Sequence, residues 1–322
     1  MSASPFDDFR NLLRHLPEPD RAAEAKARDR VNEFTAGQGE LGSLGELMVW
    51  HAAWQGRMPP MILRPTIAVF AGSNATGDVA ANIAATKGVV ENAAAGKTAV
   101  NALCGLHNLA LKVLDLALDL PVGDITVQPA FDARGAAATM AFGMEAVAGG
   151  ADLLGFSDFG RGNAVHVGAL ALALVGLDAD VLADPIHGET VQEASSREKL
   201  SRRAHDFHKG DIADPFEALA RVGTREIAAI AGAILAARME RIPVLLDGMA
   251  ALGAAMVLHA ADPRTLAHCR LAHRLPGAYG RAAALIGLDP VLDLGLGLTG
   301  GAGAVLAASL TKSAAQILID AA

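Results

Sequence analysis

The sequence predicts an α/β fold: a parallel sheet covered by helices on both faces. Three observations carry that prediction. Short apolar runs end in turns rich in Gly, Ser and Asp, as at Thr66–Phe70, Ala151–Phe156 and Arg241–Leu246. Ala-rich segments of helical length lie between them. Apolar residues make up 52% of the 322-residue chain and charged residues 19%, enough to bury strands on both faces.

Taken in order, residues 1–58 read as helical and mixed in charge, with helices over Asp7–Leu16, Pro19–Phe34 and Gly42–Gln55. The pattern changes at Pro59. Thr66–Phe70 is a buried strand entering the turn Ala71-Gly-Ser-Asn-Ala-Thr-Gly77. A helical segment follows over Gly77–Cys104, then a strand within Leu109–Leu118 and a helix over Ala136–Gly149. The strand at Ala151–Phe156 runs into Ser157-Asp-Phe-Gly-Arg-Gly-Asn163 and the helix Ala164–Val175. Glu189–Asp214 is richer in charge and reads as a solvated helix with a following loop. Helices over Thr224–Met239 and Met249–Ala260 flank the strand Arg241–Leu246, which ends at Asp247-Gly248. The chain closes with a strand at Leu292, a glycine-rich turn to Gly303 and a terminal helix.

Composition narrows the function. A net charge of −8 and scarce aromatics, 4% of the chain with one Tyr and two Trp, argue against nucleic acid as a partner. Cys104 and Cys269 cannot build a four-cysteine zinc site or a disulfide framework, which fits a reducing compartment. Met1–Asp8 shows no basic and apolar leader, and runs such as Met249–Met256 are too short to span a bilayer. A soluble cytoplasmic protein without membrane contact is expected.

Ligands of open parallel sheets bind outside the carboxyl ends of the strands, so the turns after strands are the candidate site. In Ser157–Asn163, Gly160 and Gly162 permit close approach of the backbone to a phosphate and Arg161 adds charge. Asp158 at the strand tip can bind a sugar hydroxyl or take a proton, or merely cap a helix. Asp247 either faces a ligand or caps the next helix. Gly295-Leu-Gly-Leu-Thr-Gly300 matches the dinucleotide fingerprint in form only. That fingerprint needs a further strand and an acidic residue about twenty positions on, and here the chain ends in a helix. A turn cradling a small ligand is the favoured reading, with tight helix–strand packing as the alternative. His205 and His208 lie one turn apart without a third ligand and read as a solvated surface pair. The remaining histidines, His187 among them, form no nucleophile–base order.

Several segments resemble, in family order, the nicotinate-nucleotide:dimethylbenzimidazole phosphoribosyltransferases. They are Gly42-Ser-Leu-Gly45, Ala151-Asp-Leu-Leu-Gly155 with Gly160-x-Gly162-Asn163, Asp214–Gly223, Glu226–Leu235, Arg241–Gly248 and Leu292–Leu296. The resemblance runs from about residue 37 to the C-terminus, and the block Asp214–Gly248 is its most specific part. It implies a Rossmann-like parallel sheet plus a smaller helical domain from terminal segments. On that reading residues 1–58 contribute to the small domain, residues 59–322 form the α/β domain, and part of the C-terminal third joins the small one. It also implies a homodimer, no metal or redox cofactor, and transfer of phosphoribose from nicotinate mononucleotide to a benzimidazole-type base with inversion at the anomeric carbon. The substrate-binding positions it points to are Gly160, Arg161, Gly162, Asn163, Gly188, Asp247, Gly301 and Gly303.

The chain departs from the family pattern where the chemistry happens. The family reads Gly-Glu-Gly-(Ser/Thr)-Gly after its last strand, with the Glu regarded as the base. Here the segment is Thr299-Gly-Gly-Ala-Gly303, so Gly300 stands in place of the Glu and Thr299 is far too weak a base. The family's Gly-Glu-Met-Gly-Ile-Gly-Asn-Thr-Thr turn is Ser157–Val165, with Asp158 for Glu and both Thr lost. Its Asp-His-Gly turn becomes Ser73-Asn-Ala75, and its Gly-Arg-Gly-Thr-Gly loop aligns loosely with Asp184–Gly188. Asp158 is then the substitute base at a family-matched site. Three readings stay open: an active transferase using Asp158 or no base, a non-catalytic paralogue that binds nucleotide or base as sensor or partner subunit, and a different enzyme on the same scaffold.

Overall fold

A computed structural model describes residues 4–186, 188–297 and 300–320. Its sheet comprises β1 (Pro65–Ala71), β2 (Ala110–Asp115), β3 (Leu153–Asp158), β4 (Val244–Leu246), β5 (Cys269–His273) and β6 (Pro290–Leu292). These strands are parallel, in the order β2-β1-β3-β4-β5-β6. The chain moves from β1 outward to β2 and then returns to lay β3 on the other side of β1. The order reverses there, which makes the carboxyl ends of the strands around β1 and β3 the place where ligands of such sheets bind.

The helices are α1 (Asp7–Leu13), α2 (Arg21–Gln38), α3 (Ser43–Gln55), α4 (Val79–Ala94), α5 (Ala99–His107), α6 (Ala133–Met144), α7 (Asn163–Leu174), α8 (Val191–His208), α9 (Pro215–Val222), α10 (Arg225–Met239), α11 (Met249–Ala261), α12 (Gly277–Leu285) and α13 (Ala302–Asp320). Strand residues alternate between two cores, as the pleat requires. Ala68, Phe70, Leu154, Phe156, Val244 and Leu246 enter one core with α6, α7, α9, α10 and α11. Ile67, Val69, Leu153 and Leu245 enter the other with Trp50 and Trp54 of α3, Val100 of α5 and Val305 of α13. Among the described residues no helix is long and apolar enough to cross a membrane.

The first helices divide between the two faces. Phe6 stacks on Phe216 with ring centroids 5.3 Å apart, and Arg10 pairs with Asp214 at 2.6 Å, so α1 docks on α9. Asp214 also caps α9, accepting from Phe216 N (2.8 Å) and Glu217 N (3.1 Å), with Pro215 opening the helix. By contrast, α3 packs on α13, where Met48 meets Ala314.

Three features differ from the sequence reading. The segment Gly77–Cys104 is two helices, because Gly96 turns with φ +72° and Thr98 starts α5, its N–H donating to Asn101 Oδ1 at 3.2 Å. Strand β5 escapes the pattern because Arg270 and His273 interrupt its apolar run. The helix α8 is only partly solvated: Arg197, Ser201 and His208 point inward and are buried.

Candidate active site

Every residue of β3 is buried to its tip at Asp158. Phe159 N–H continues the ladder to Phe70 O (2.9 Å), and the chain then turns through Gly160-Arg161-Gly162 into α7. Gly162 caps that helix with φ +82°, a left-handed conformation that suits glycine. The turn after β1 folds over this one: Asn74 Nδ2 donates to Arg161 O at 2.7 Å, and Arg161 N–H donates to Thr86 Oγ1 at 3.2 Å. The two turns beside the switch point are thereby fixed to each other. The Arg161 side chain is exposed at the cavity and has no hydrogen-bond or ion-pair partner among the described residues.

The cavity has a volume of about 500 Å³. Asp158, Gly160, Arg161, Gly162, Asn163, Gly188, Asp247 and Gly300 all line it, so most of the residues picked from sequence converge. Gly301 and Gly303 are not among the lining residues. A Cβ on Gly301 would lie 3.0 Å from Ile67 Cγ2, and one on Gly303 would lie 2.7 Å from Asp247 Oδ1. Their smallness serves packing beneath the cavity. Thr299 and His187 lie outside the described residues.

Two buried aspartates end adjacent strands, and each accepts from a backbone N–H in the first turn of a helix distant in sequence. Asp158 Oδ1 accepts from Ala250 N (3.1 Å) in the first turn of α11, and its Oδ2 accepts from Asn163 Nδ2 (2.9 Å). Asp247 Oδ2 accepts from Ala304 N (2.9 Å) in the first turn of α13, not from the helix that follows it. Burial pushes Asp158 up to about 7, helped by the neighbouring Glu226 and Asp247 and opposed by its two hydrogen bonds. Burial also raises Asp247 above the ordinary carboxylate range, against the pull of Ala304 N–H and of His273. A carboxyl near neutrality is matched to proton transfer at neutral pH.

Sequence reasoning missed the buttress of the far wall. Arg197 is 4% exposed and grips Glu189 through Nε (2.9 Å) and Nη2 (2.7 Å). It also donates to Leu182 O (2.8 Å), Asp184 O (2.9 Å) and the Tyr279 hydroxyl (3.1 Å), and that hydroxyl donates to Ala164 O (2.7 Å). This web fastens the Gly188 segment beside α7. Its only sequence signal was an Arg and a Glu in a stretch that otherwise reads as solvated. His273 holds the last turn, its Nε2 accepting from Leu294 N at 2.8 Å. His208 is buried with its Nε2 donating to Ile125 O at 3.0 Å, so it leaves the solvated pair with His205.

At Gly300 the backbone has φ +76°, and a Cβ there would lie 1.9 Å from Phe159 Cε1. The Phe159 ring is buried in the place from which any side chain at position 300 would have to start.

Comparison with known proteins is consistent along the whole chain. A family profile described as phosphoribosyltransferase matches residues 16–322. A nicotinate-nucleotide–dimethylbenzimidazole phosphoribosyltransferase of Brucella anthropi is 48% identical over 324 residues, covering 98% of this chain and 95% of its own. Its counterpart in Allorhizobium ampelinum is 48% identical over 316 residues, covering 97% and 92%. The crystal structure of the enzyme of that name from Thermus thermophilus superimposes with a TM-score of 0.82 at 29% identity, over 93% of this chain and 96% of that one.

Proposed function

Since the chain belongs to the nicotinate-nucleotide–dimethylbenzimidazole phosphoribosyltransferase family, we propose that its cavity transfers phosphoribose from nicotinate mononucleotide to a benzimidazole-type base. The product is an α-ribazole phosphate-like nucleotide of the kind used in cobalamin assembly. Family membership supports the two substrate classes and a homodimer as the working assembly.

The turn Gly160–Gly162, the start of α7 and the exposed Arg161 line one cavity, a combination of helix N-terminus and guanidinium that suits a phosphate. Asp247, on the wall of the same cavity, is the group we assign to accept from a ribose hydroxyl. Nicotinate leaves as a pyridine that is already cationic, so it needs no acid. The acceptor azole loses its N–H proton as it attacks C1′, and Asp158 is the group we assign to take it. The observation that carries this reading is a carboxyl at the strand tip, held by Asn163 and Ala250, on the wall of the same cavity as the phosphate turn. A positioned base contributes roughly 10²–10⁴-fold. Orientation of the two bound substrates supplies the rest.

The test is incubation of the full chain with nicotinate mononucleotide and dimethylbenzimidazole, reading free nicotinate and the new nucleotide. Turnover is expected, with kcat falling by about 10²-fold or more in Asp158→Asn. Thermal stabilisation by the nucleotide without release of nicotinate would leave a binding subunit in place of an enzyme.

A further inference from the structure

Behind Asp158 lies a second carboxyl that the reaction as described does not use. Glu226, in the first turn of α10, is wholly buried. Its Oε1 accepts from Asn163 Nδ2 at 3.3 Å, and the same nitrogen donates to Asp158 Oδ2 at 2.9 Å. Glu226 Oε2 is buried with no well-aligned hydrogen-bond partner among the described residues. Two glycines clear its space: a Cβ on Gly160 would lie 1.8 Å from Oε1, and one on Gly72 would lie 2.7 Å from Oε2. The turns after β1 and β3 therefore meet over this carboxyl. Asp247 faces the pair from the end of β4, and the Ala250 N–H faces it from α11. The neighbouring cation, Arg225, donates to Leu120 O instead.

We propose that Glu226 is a positioning residue for the transfer, coupled to Asp158 through the Asn163 amide so that its negative charge strengthens Asp158 as the acceptor of the azole proton. Two buried like charges with no cation between them cannot both be ionised cheaply, and each raises the other's hold on its proton. Burial raises Glu226 above its ordinary value, against the weaker pull of nearby polar groups, and its charge in turn raises Asp158. In the step itself the azole N–H proton passes to Asp158 and the azole nitrogen forms its bond to C1′. The bond from C1′ to nicotinate breaks, with its electron pair returning to the pyridine nitrogen, and Glu226 neither gives nor takes a proton in the step. Coupling makes Asp158 a stronger base than an isolated aspartate, which offsets in part the missing Glu.

This inference rests on the assignment of Asp158 as the base. The experiment is the pH profile of kcat, with KM for nicotinate mononucleotide, for the wild type, Glu226→Gln and Asp158→Asn. A neutral residue at 226 removes the repulsion, so Asp158 gives up its proton more readily. The acid limb of kcat is expected to move down by about one pH unit in Glu226→Gln while KM stays within about twofold. A limb at the wild-type pH overturns the coupling. Turnover and limb surviving in Asp158→Asn would instead overturn the assignment of the base. Should Glu226→Gln fail to fold, Glu226→Asp withdraws the carboxyl by one methylene from Asn163. A shift in the same direction is then expected, and an unmoved limb overturns the proposal.

Discussion

Position 300 shows how far a single residue commits the site. Gly300 was legible as the loss of a carboxylate, but the sequence did not show that Phe159 has taken the vacated space. With φ +76° and a ring atom 1.9 Å from any Cβ, Gly300→Glu alone meets both backbone strain and a clash. It is expected to cost about 3 kcal/mol or more in urea unfolding. Combined with Phe159→Ala, which removes the ring, the loss should be smaller than the sum of the two single losses by about 1 kcal/mol or more. Strictly additive losses would show that the two positions are not coupled. The same lesson applies to Gly160. Read alone, it suggests an approach to phosphate; in the fold its missing side chain makes room for Glu226 Oε1. Neither partner is visible from spacing, since Gly160 and Glu226 lie on different elements.

Among the elements, α10 carries Glu226 and is held in place by α6. The two helices touch backbone to backbone: a Cβ on Gly232 would lie 1.9 Å from Met140 O, and one on Gly143 would lie 1.9 Å from Ala229 O. Gly232→Ala would force the helices apart. Overpacking costs about 1–3 kcal/mol, against a gain in helix propensity of up to about 1 kcal/mol. A net loss of about 1–2 kcal/mol is expected by denaturant titration. Gly88 in α4 is the control, because nothing lies within 4 Å of its Cβ position. Gly88→Ala should stabilise by about 0.5–1 kcal/mol. Equal effects at both sites would refute the close-approach argument. Most of these helices were legible from Ala-rich runs, yet the break at Gly96 was not, since the residues on both sides of it favour helix.

For the whole molecule, the cavity exists only where the turns after β3, β4, β5 and β6 and the Gly188 segment come together. Binding of nicotinate mononucleotide should therefore stabilise the entire fold. At a ligand concentration a hundred times Kd the gain is about 2.7 kcal/mol, visible as a rise in Tm. Asp158→Asn should keep that rise while losing turnover, and an unmoved Tm at saturating nucleotide in the wild type would refute the assignment of the cavity. The sequence by itself determined the parallel α/β class, the position of the site at the strand ends, the family pattern and the absence of its Glu. These are properties of local pattern: apolar runs, turn residues and motif order lie within short stretches of chain. Only the tertiary structure decided that Asp158 and Asp247 cap α11 and α13, that Arg197 fastens the far wall, that Phe159 closes position 300, and that Glu226 sits behind Asp158. Those facts depend on side chains from separate stretches of chain meeting in a dry interior, where burial sets the charge each carboxyl can hold.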